Sequence, residues 1–525
     1  MPVTPPLSYP GVYIQELPSG VRTIVGVPTS ITAFLGRAPR GPVNEPVTVT
    51  NFGDYDRTFG GLDLNSTMSY AVRDFFLNGG GQAIIVRLFK NEDDRETRAR
   101  IQVGEGDDAW QFLAASPGTW ANGLQIKVMV IEAKGMGQQV LDRYGRKAGE
   151  LFSLSIHDGD PAKKPPLETI ANVTLVDGPR RLDRVLEQES GMIRVESLGQ
   201  AMPENNAALV LSEGLDSVGL DVSAYRGDQE NKTGLYALEK ADLFNLLCIP
   251  PDKREGDVDP GIYATVLAYC QERRAMFIVD PPINWAAQKE TAAAQAKRGV
   301  DALNISGEVA RNAALYFPRV VEADPLRESQ PDVFPACGIV AGIMARTDAS
   351  RGVWKAPAGQ DATLNGIRGL QANLTDAENG QLNPLGINCL RTFPTIGSVV
   401  WGARTMRGAD QLADEYKYLP VRRLALFIEE TLYRSTQWAV FEPNDEPLWS
   451  QLRLNIGAFM HDLFRQGAFQ GQSPKDAYFV KCDNTTTTQS DINKGVVNIM
   501  VGFAPLKPAE FVVIYIQQIA GNIAT

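Results

Sequence analysis

The chain has 525 residues, 44% hydrophobic and 22% charged, with a formal net charge of −11. A chain this long cannot fold around one core, and roughly three or four domains are expected. The acidic balance argues against direct nucleic-acid binding, and no run approaches the ~18 apolar residues of a membrane span.

Residues 1–20 carry Pro2, Pro5, Pro6, Pro10 and Pro18, a spacing that forbids a helix and predicts an extended arm. Within it VYIQE (12–16) reads as a short strand, with Val12 and Ile14 on one face and Tyr13 on the other. The opening MPVTPPLSYPG lacks the basic and apolar regions of a secretory signal, so the chain is expected to be made in a cytoplasm. Residues 21–36 read as a strand, a turn at Pro28–Ser30, and a buried strand ITAFLG. STMSYAVRDFFL (66–77) reads as a helix capped by Ser66, with Met68, Ala71, Val72, Phe75 and Phe76 at helical spacing. Asn78 and Gly79 to Gly81 stop it, and the strand QAIIVRLF (82–89) follows. A phosphate loop needs the opposite order, from strand through glycines to helix, so these glycines read as a stop.

The charged stretch 90–108 reads as a boundary. Beyond it LQIKVMVIEA, LFSLSIHD, ANVTLVD and MIRVESL alternate as strands do. RRLDRVLEQES reads as a short helix and KGMGQQVLDRYGRKAGE (134–150) as a loop. From about residue 206, helices at 236–245, 262–274, 285–303 and 333–349 alternate with apolar strands at 246–251, 275–282 and 312–323. That alternation predicts an α/β layer on a parallel sheet. A short helix and a strand follow within 369–393, then a strand over 398–406.

Two long helices come next. Over 421–441, Leu424, Phe427, Ile428, Leu432, Trp438 and Phe441 form one stripe. The second has Asp445 as N-cap, Pro447 in its first turn, and Leu448, Leu452, Ile456, Phe459 and Leu463 on one face. The polar run 484–495 reads as a loop leading to VVNIMVGFAP (496–505) and FVVIYIQQI (511–519). In the last run Phe511, Val513 and Tyr515 share one face, and Val512, Ile514 and Ile516 the other. A strand apolar on both faces needs a partner strand, from its own fold or from another copy.

The chain offers little for catalysis. A serine hydrolase needs Ser, His and Asp together. His157 lies on a strand and His461 on the second long helix, both outside 206–350, and neither G-x-S-x-G nor H-E-x-x-H occurs. Both histidines read as structural. Glu429 and Glu430 read as solvated, and the charge runs at 91–98 and 252–259 as surface loops. The cysteines (Cys248, Cys270, Cys337, Cys389 and Cys482) are scattered without a CxxC, the pattern of buried free thiols. No catalytic, cofactor or metal site is read.

Long stretches resemble contractile tail sheath proteins. They are YPGVYIQELPSG, TSITAFLGRAPRGP and FFLNGGGQAIIVRL near the N-terminus, and SPGTWANGLQIKV at 116–128. Near the C-terminus they are INCLRTFPTIGSVVWGARTM, the run from YLPVRRLALF to RQGAFQG, and YFVKCDN. The resemblance implies an α/β and α+β multidomain fold. Its parts would be an N-terminal strand-exchange arm (1–20), an inner sheath domain from 21–95 and 351–507, an inserted β-rich outer domain (96–205), a subtilisin-like α/β outer domain without a catalytic triad (206–350), and a C-terminal arm (508–525).

The resemblance also implies a subunit that polymerises as stacked hexameric rings around an inner tube and contracts to drive the tube through an envelope. The device would be a phage tail or a tail-like injection system, assembled in a bacterial cytoplasm. The arm strands would be Val12, Tyr13 and Ile14, and Phe511, Val512, Val513, Ile514, Tyr515 and Ile516. The acceptor sheet would include Val496, Val497, Ile499 and Val501. Arg453, Arg465 and Lys475 are candidates for tube contact, with ordinary solvated charge the alternative. Implied partners are other copies, the inner tube protein, and baseplate and terminator or cap proteins, with no direct nucleic acid, no membrane insertion and no cofactor. The competing readings are a hydrolase built on the α/β layer and a static tube or coat protein.

Overall fold

A computed structural model describes residues 22–92, 97–103, 109–132, 136–147, 149–199 and 208–515. The expected strand at 12–16 and residues 516–525 lie outside the described residues. The chain divides into two compact units: 30–349 with 357–417, and the described parts of 1–29, 350–356 and 418–525.

The larger unit is centred on an eight-stranded sheet. Its spatial order is Gly397–Val400, Ile387–Phe393, Ala313–Phe317, Met276–Val279, Leu246–Cys248, Thr32–Gly36, Ala83–Arg87 and Val47–Val49. The six inner strands run parallel and the two outermost pair antiparallel. Five of the inner strands are buried at every residue, which a parallel sheet covered on both faces demands of its sequence. This is why ITAFLG, AIIVR, LLC, MFIV and AALYF read as unbroken apolar runs. Ala33, Leu35, Ile84, Val86, Leu247 and Phe277 face one core, with the helices Tyr263–Glu272 and Ala292–Gly299 over them. Phe34 faces the other way, 5.7 Å from the Phe75 ring centre.

That second face is covered by the helices Met68–Leu77 and Cys337–Arg351. They meet backbone to backbone. A Cβ added at Gly338 would lie 2.0 Å from the Ala71 carbonyl oxygen, and one at Gly342 would lie 2.5 Å from that of Phe75. The small-residue run CGIVAG is what allows this approach. Ser66 is not the cap of the first helix. Thr67 holds that position and its hydroxyl donates to the Pro251 carbonyl, while the Ser66 hydroxyl donates to that of Arg37.

Segments 21–95, 206–350 and 351–417 share this one sheet, although a boundary was expected on either side of 206–350. Thr32–Gly36 pairs directly with Leu246–Cys248, and Ala313–Phe317 with Ile387–Phe393. Apolar runs do not state which neighbour they take, so a division drawn along the chain missed pairings made across it. NAALYFPRVVEA is likewise two strands. Ala313–Phe317 belongs to the large sheet, and Val320–Asp324 is the middle of a three-stranded sheet with Gln330–Phe334 and Ile367–Leu370.

The β-rich insert builds a core of its own around Trp110, Phe112, Ile126 and Phe152. Arg100–Val103, Trp110–Ala114 and Ile193–Ser197 make one sheet. Leu124–Val130, Phe152–Asp158, Glu168–Val173 and Ala208–Val210 make a second. Met136–Tyr144 is a helix where a loop was expected, because Gly135, Gly137 and Gly145 masked the helix-forming QQVLDRY between them. The two ends of the insert return to one place. Val218 N–H donates to the Lys90 carbonyl at 3.1 Å, and Leu215 N–H to that of Thr97 at 3.0 Å.

In the smaller unit, Glu446–Arg465 forms as the sequence predicts. The Asp445 carboxylate accepts from Glu446 N–H, and Leu448, Leu452, Ile456, Phe459 and Leu463 are all buried. The preceding helix, Leu419–Ser435, stops earlier than its apolar stripe predicts. Phe441 lies beyond it at φ 70°, fully exposed rather than in the core. Pro443 two residues later bars a regular helix there.

Candidate inter-subunit surface

Residues 22–29 lie along both helices of the smaller unit. Val27 N–H donates to Thr431 Oγ1 at 3.2 Å, and Arg22 N–H to Asn455 Oδ1 at 3.1 Å. The Arg22 guanidinium sits 4.3 Å from the Trp438 ring centre, a cation–π contact. Arg423 Nη2 donates to the Thr29 carbonyl at 3.0 Å. This segment is therefore held firmly just after the predicted arm, whose Val12, Tyr13 and Ile14 lie outside the described residues.

Near the other terminus, Tyr478–Lys481 pairs antiparallel with Met500–Phe503, and this sheet has two strands among the described residues. Tyr478 and Val480 lie opposite Phe503 and Val501, and these four pack on the helix core. Phe479 and Met500 point outward and are exposed. The Phe479 ring covers Gly502 so closely that a Cβ there would meet it at 2.2 Å. A two-stranded sheet is marginal alone, and its unpaired backbone groups are a template for a further strand.

The expected acceptor sheet, Val496 to Phe503, is shorter than predicted. Of the residues singled out, Val501 is in the strand, while Val496, Val497 and Ile499 precede it. The cause is a small helix, Gln489–Asn493, with a reciprocal cap between Thr488 and Asp491. The chain turns at Gly495 (φ 72°), and Val497 and Ile499 pack beside Leu448, Trp449 and Leu452 before the strand begins. Phe511, Val512, Val513, Ile514 and Tyr515 have no regular structure, and their exposures run from 68% to 92%. Ile516 lies outside the described residues.

The three basic candidates differ. Arg453 is held by Glu446 and the Cys482 carbonyl, so its charge is committed within the chain. Arg465 is 72% exposed and 4.0 Å from Asp462, and Lys475 is exposed.

The histidines sit in structural settings. His157 is buried, with its ring nitrogens 3.0 Å from the Lys164 carbonyl and 3.0 Å from Ser155 Oγ, and its neighbour Asp158 pairs with Lys164. His461 packs near the rings of Phe464 and Tyr478. All five cysteines are buried free thiols, and burial pushes Cys389 up to about 12. Among the described residues, no group of three or more His, Cys, Asp or Glu could hold a metal ion, and no helix is long and apolar enough to cross a membrane.

Sequence reasoning missed the buried charges. Arg254, within a charge run expected at the surface, is buried and pairs with Asp324, and its Nη2 donates to Tyr70 Oη at 2.6 Å. Glu430, expected to be solvated, is buried against Arg434 at 2.6 Å. Each partner is remote in sequence or lies one helical turn away, and single positions carry no sign of that.

What the smaller unit presents is strand edge and exposed apolar side chains. Residues 226–406 match the phage tail sheath protein central domain, and residues 413–519 match the phage tail sheath C-terminal domain. Together these span more than half of the chain, which belongs to the phage tail sheath protein family.

The tail sheath protein of Vibrio phage KVP40 is 27% identical over 34% of this chain and 25% of its own length. That of Enterobacteria phage T4 is 27% identical over 30% and 23%. The chain thus covers about a quarter of the length of these curated relatives. Among solved structures, the helical sheath of the anti-feeding prophage in its contracted state is 23% identical, with a TM-score of 0.54 over 98% of this chain and 99% of that one. The PVC sheath complex of an extracellular contractile injection system, also contracted, is 22% identical with a TM-score of 0.54 over the same shares. The sheath tail protein of Listeria innocua is 12% identical with a TM-score of 0.59, covering 92% of this chain and 96% of that one. These likenesses show a shared fold.

Proposed function

We propose that the protein is the sheath subunit of a contractile phage tail or tail-like injection device. In this reading it polymerises as stacked hexameric rings around an inner tube and contracts to drive the tube through a target envelope. The observation that carries the proposal is the exposed apolar run Phe511 to Tyr515, which follows the two-stranded sheet in the chain, in a protein of the tail sheath family. Such a run exposed on an isolated subunit calls for a partner strand.

Strand addition between copies fits this surface. Main-chain hydrogen bonds supply the link, and alternate side chains fix the register. Arms that carry the linkage let the folded units rotate while the lattice stays connected. Contraction then needs no nucleotide, since a metastable extended lattice relaxes into one with more contact between subunits. The role is mechanical rather than catalytic, and the α/β layer serves as scaffold. Partners are other copies, an inner tube protein and the baseplate. Arg465 and Lys475 are better placed than Arg453 to meet an acidic tube surface, because Arg453 is already paired.

Electron microscopy of the purified chain tests the proposal. Rings or tubes are expected from the full chain, and their loss on deleting residues 1–18 or 508–525. A chain that stays monomeric, or assembly indifferent to both deletions, sinks it. A lattice with one fixed length and diameter favours a static coat, and labelling of a serine by an activity probe favours a hydrolase.

A further inference from the structure

Helix Met68–Leu77 is joined to the three-stranded sheet by a cluster with an uneven charge balance. Arg73 Nη2 donates both to Asp74 Oδ1, at 2.9 Å, and to Glu322 Oε2. Asp74 and Glu322 are 2% and 1% exposed. Each has one carboxylate oxygen, Asp74 Oδ2 and Glu322 Oε1, that is buried with no hydrogen-bond partner. Both carboxylates accept from the same guanidinium nitrogen, which places them side by side. Two ionised carboxylates are acceptors only, and one arginine cannot neutralise both.

Among the described residues, Arg73 is the cation that pairs with Asp74 and Glu322. Tyr70, one turn back on the helix, donates to Asp324 at 2.7 Å. Arg254, from the 250–257 loop, is committed to Asp324, Asp332 and Tyr70. Arg327 is half exposed and reaches Asp332. On the adjoining strand Ile367–Leu370, Arg368 is exposed.

The structure assigns a single shared proton to Asp74 and Glu322, held between Asp74 Oδ2 and Glu322 Oε1. The proton satisfies both orphan oxygens at once and leaves one net negative charge for Arg73. Burial, and next the charge of Asp74, hold the Glu322 carboxyl well above the usual carboxylate range. Seating this helix on the sheet therefore takes up a proton, and the packing of the unit is a pH-sensitive device.

The sign follows from linkage. A carboxyl with a raised folded value contributes stability that is complete below its unfolded value, 4.5 for Glu322, and is lost as pH rises through the folded value. Between those limits the unfolding constant should rise about tenfold per pH unit for the one proton released.

Two measurements on the full chain test this. The infrared spectrum at neutral pH should show the carbonyl band of a buried protonated carboxylic acid, absent in Glu322→Gln and in Asp74→Asn. In denaturant unfolding across pH, Glu322→Gln should lose the wild type's alkaline weakening, because its amide donates to Asp74 without needing a proton. Absence of the band from the wild type overturns the proposal. Unfolding profiles that stay parallel between wild type and Glu322→Gln overturn it too. Absence of the band from the wild type decides against the proposal even if neither variant folds.

Discussion

At the scale of single residues, the buried charges carry the sharpest consequences. Asp324 is fully buried, accepts from Tyr70 Oη at 2.7 Å and pairs with Arg254. Removing Asp324 leaves the buried Arg254 with only the partly exposed Asp332 to balance it, at a cost of up to about 3–5 kcal/mol. Asp324→Ala is therefore expected to lower unfolding stability by that order in denaturant titration. Tyr70→Phe should cost about 1.5–3 kcal/mol, the scale of a lost hydrogen bond to a charge. Burial alone would raise the Asp324 carboxyl, but the hydrogen bonds from Tyr70 and Arg254 outweigh it and hold the group below 3.8. The stability it contributes is present above that value and is lost as pH falls through the depressed one. Asp324→Ala should accordingly flatten the acid limb of the stability profile. None of this was legible in the sequence, where Arg254 sat in a run of charges that looked solvated. The scattered cysteines were legible, since a small apolar thiol without a partner motif has one ordinary place, the core.

At the scale of elements, the close crossing of Met68–Leu77 and Cys337–Arg351 sets a firm expectation. Alanine is the better helix former by about 1 kcal/mol. Yet a methyl at Gly338 would meet backbone at 2.0 Å. Overpacking a core costs about 1–3 kcal/mol. Gly338→Ala and Gly342→Ala are therefore expected to destabilise, with Gly338→Ala the worse, as a lowered midpoint in thermal unfolding. A gain in stability from either would mean that the helices do not touch. The helix itself was legible as a small-residue run, but the neighbour those residues make room for was not. The same holds for the sheet. Its strands announced themselves by unbroken apolar runs, while the order that interleaves three segments rests on pairings no local pattern encodes. Periodicity also overran at Phe441, where the apolar spacing continued past the end of the helix, and at Val496 to Ile499, where apolar residues pack as an irregular lead. The terminal run stood out in the sequence as apolar at both alternating sets of positions, whereas Phe511 to Tyr515 are exposed and form no strand.

At the scale of the whole molecule, the β-rich insert is a module with a core of its own. Its ends meet where Val218 N–H reaches the Lys90 carbonyl and the Ser217 hydroxyl accepts from Lys90 N–H at 2.9 Å. Excising residues 92–216 and closing the gap with a short flexible linker should leave the eight-stranded sheet intact. The shortened chain should keep a cooperative thermal transition by circular dichroism. Loss of that transition would show that the sheet needs the insert. The largest expected loss is at Arg87, which donates to the Pro117 carbonyl at 2.8 Å but keeps its bonds to Ala38, Pro39 and Gly41. Two chain ends already in hydrogen-bonding reach make a socket. A foreign domain whose own termini lie as close together could be plugged in there, and every copy would then display it at the same point without a change to the scaffold beneath.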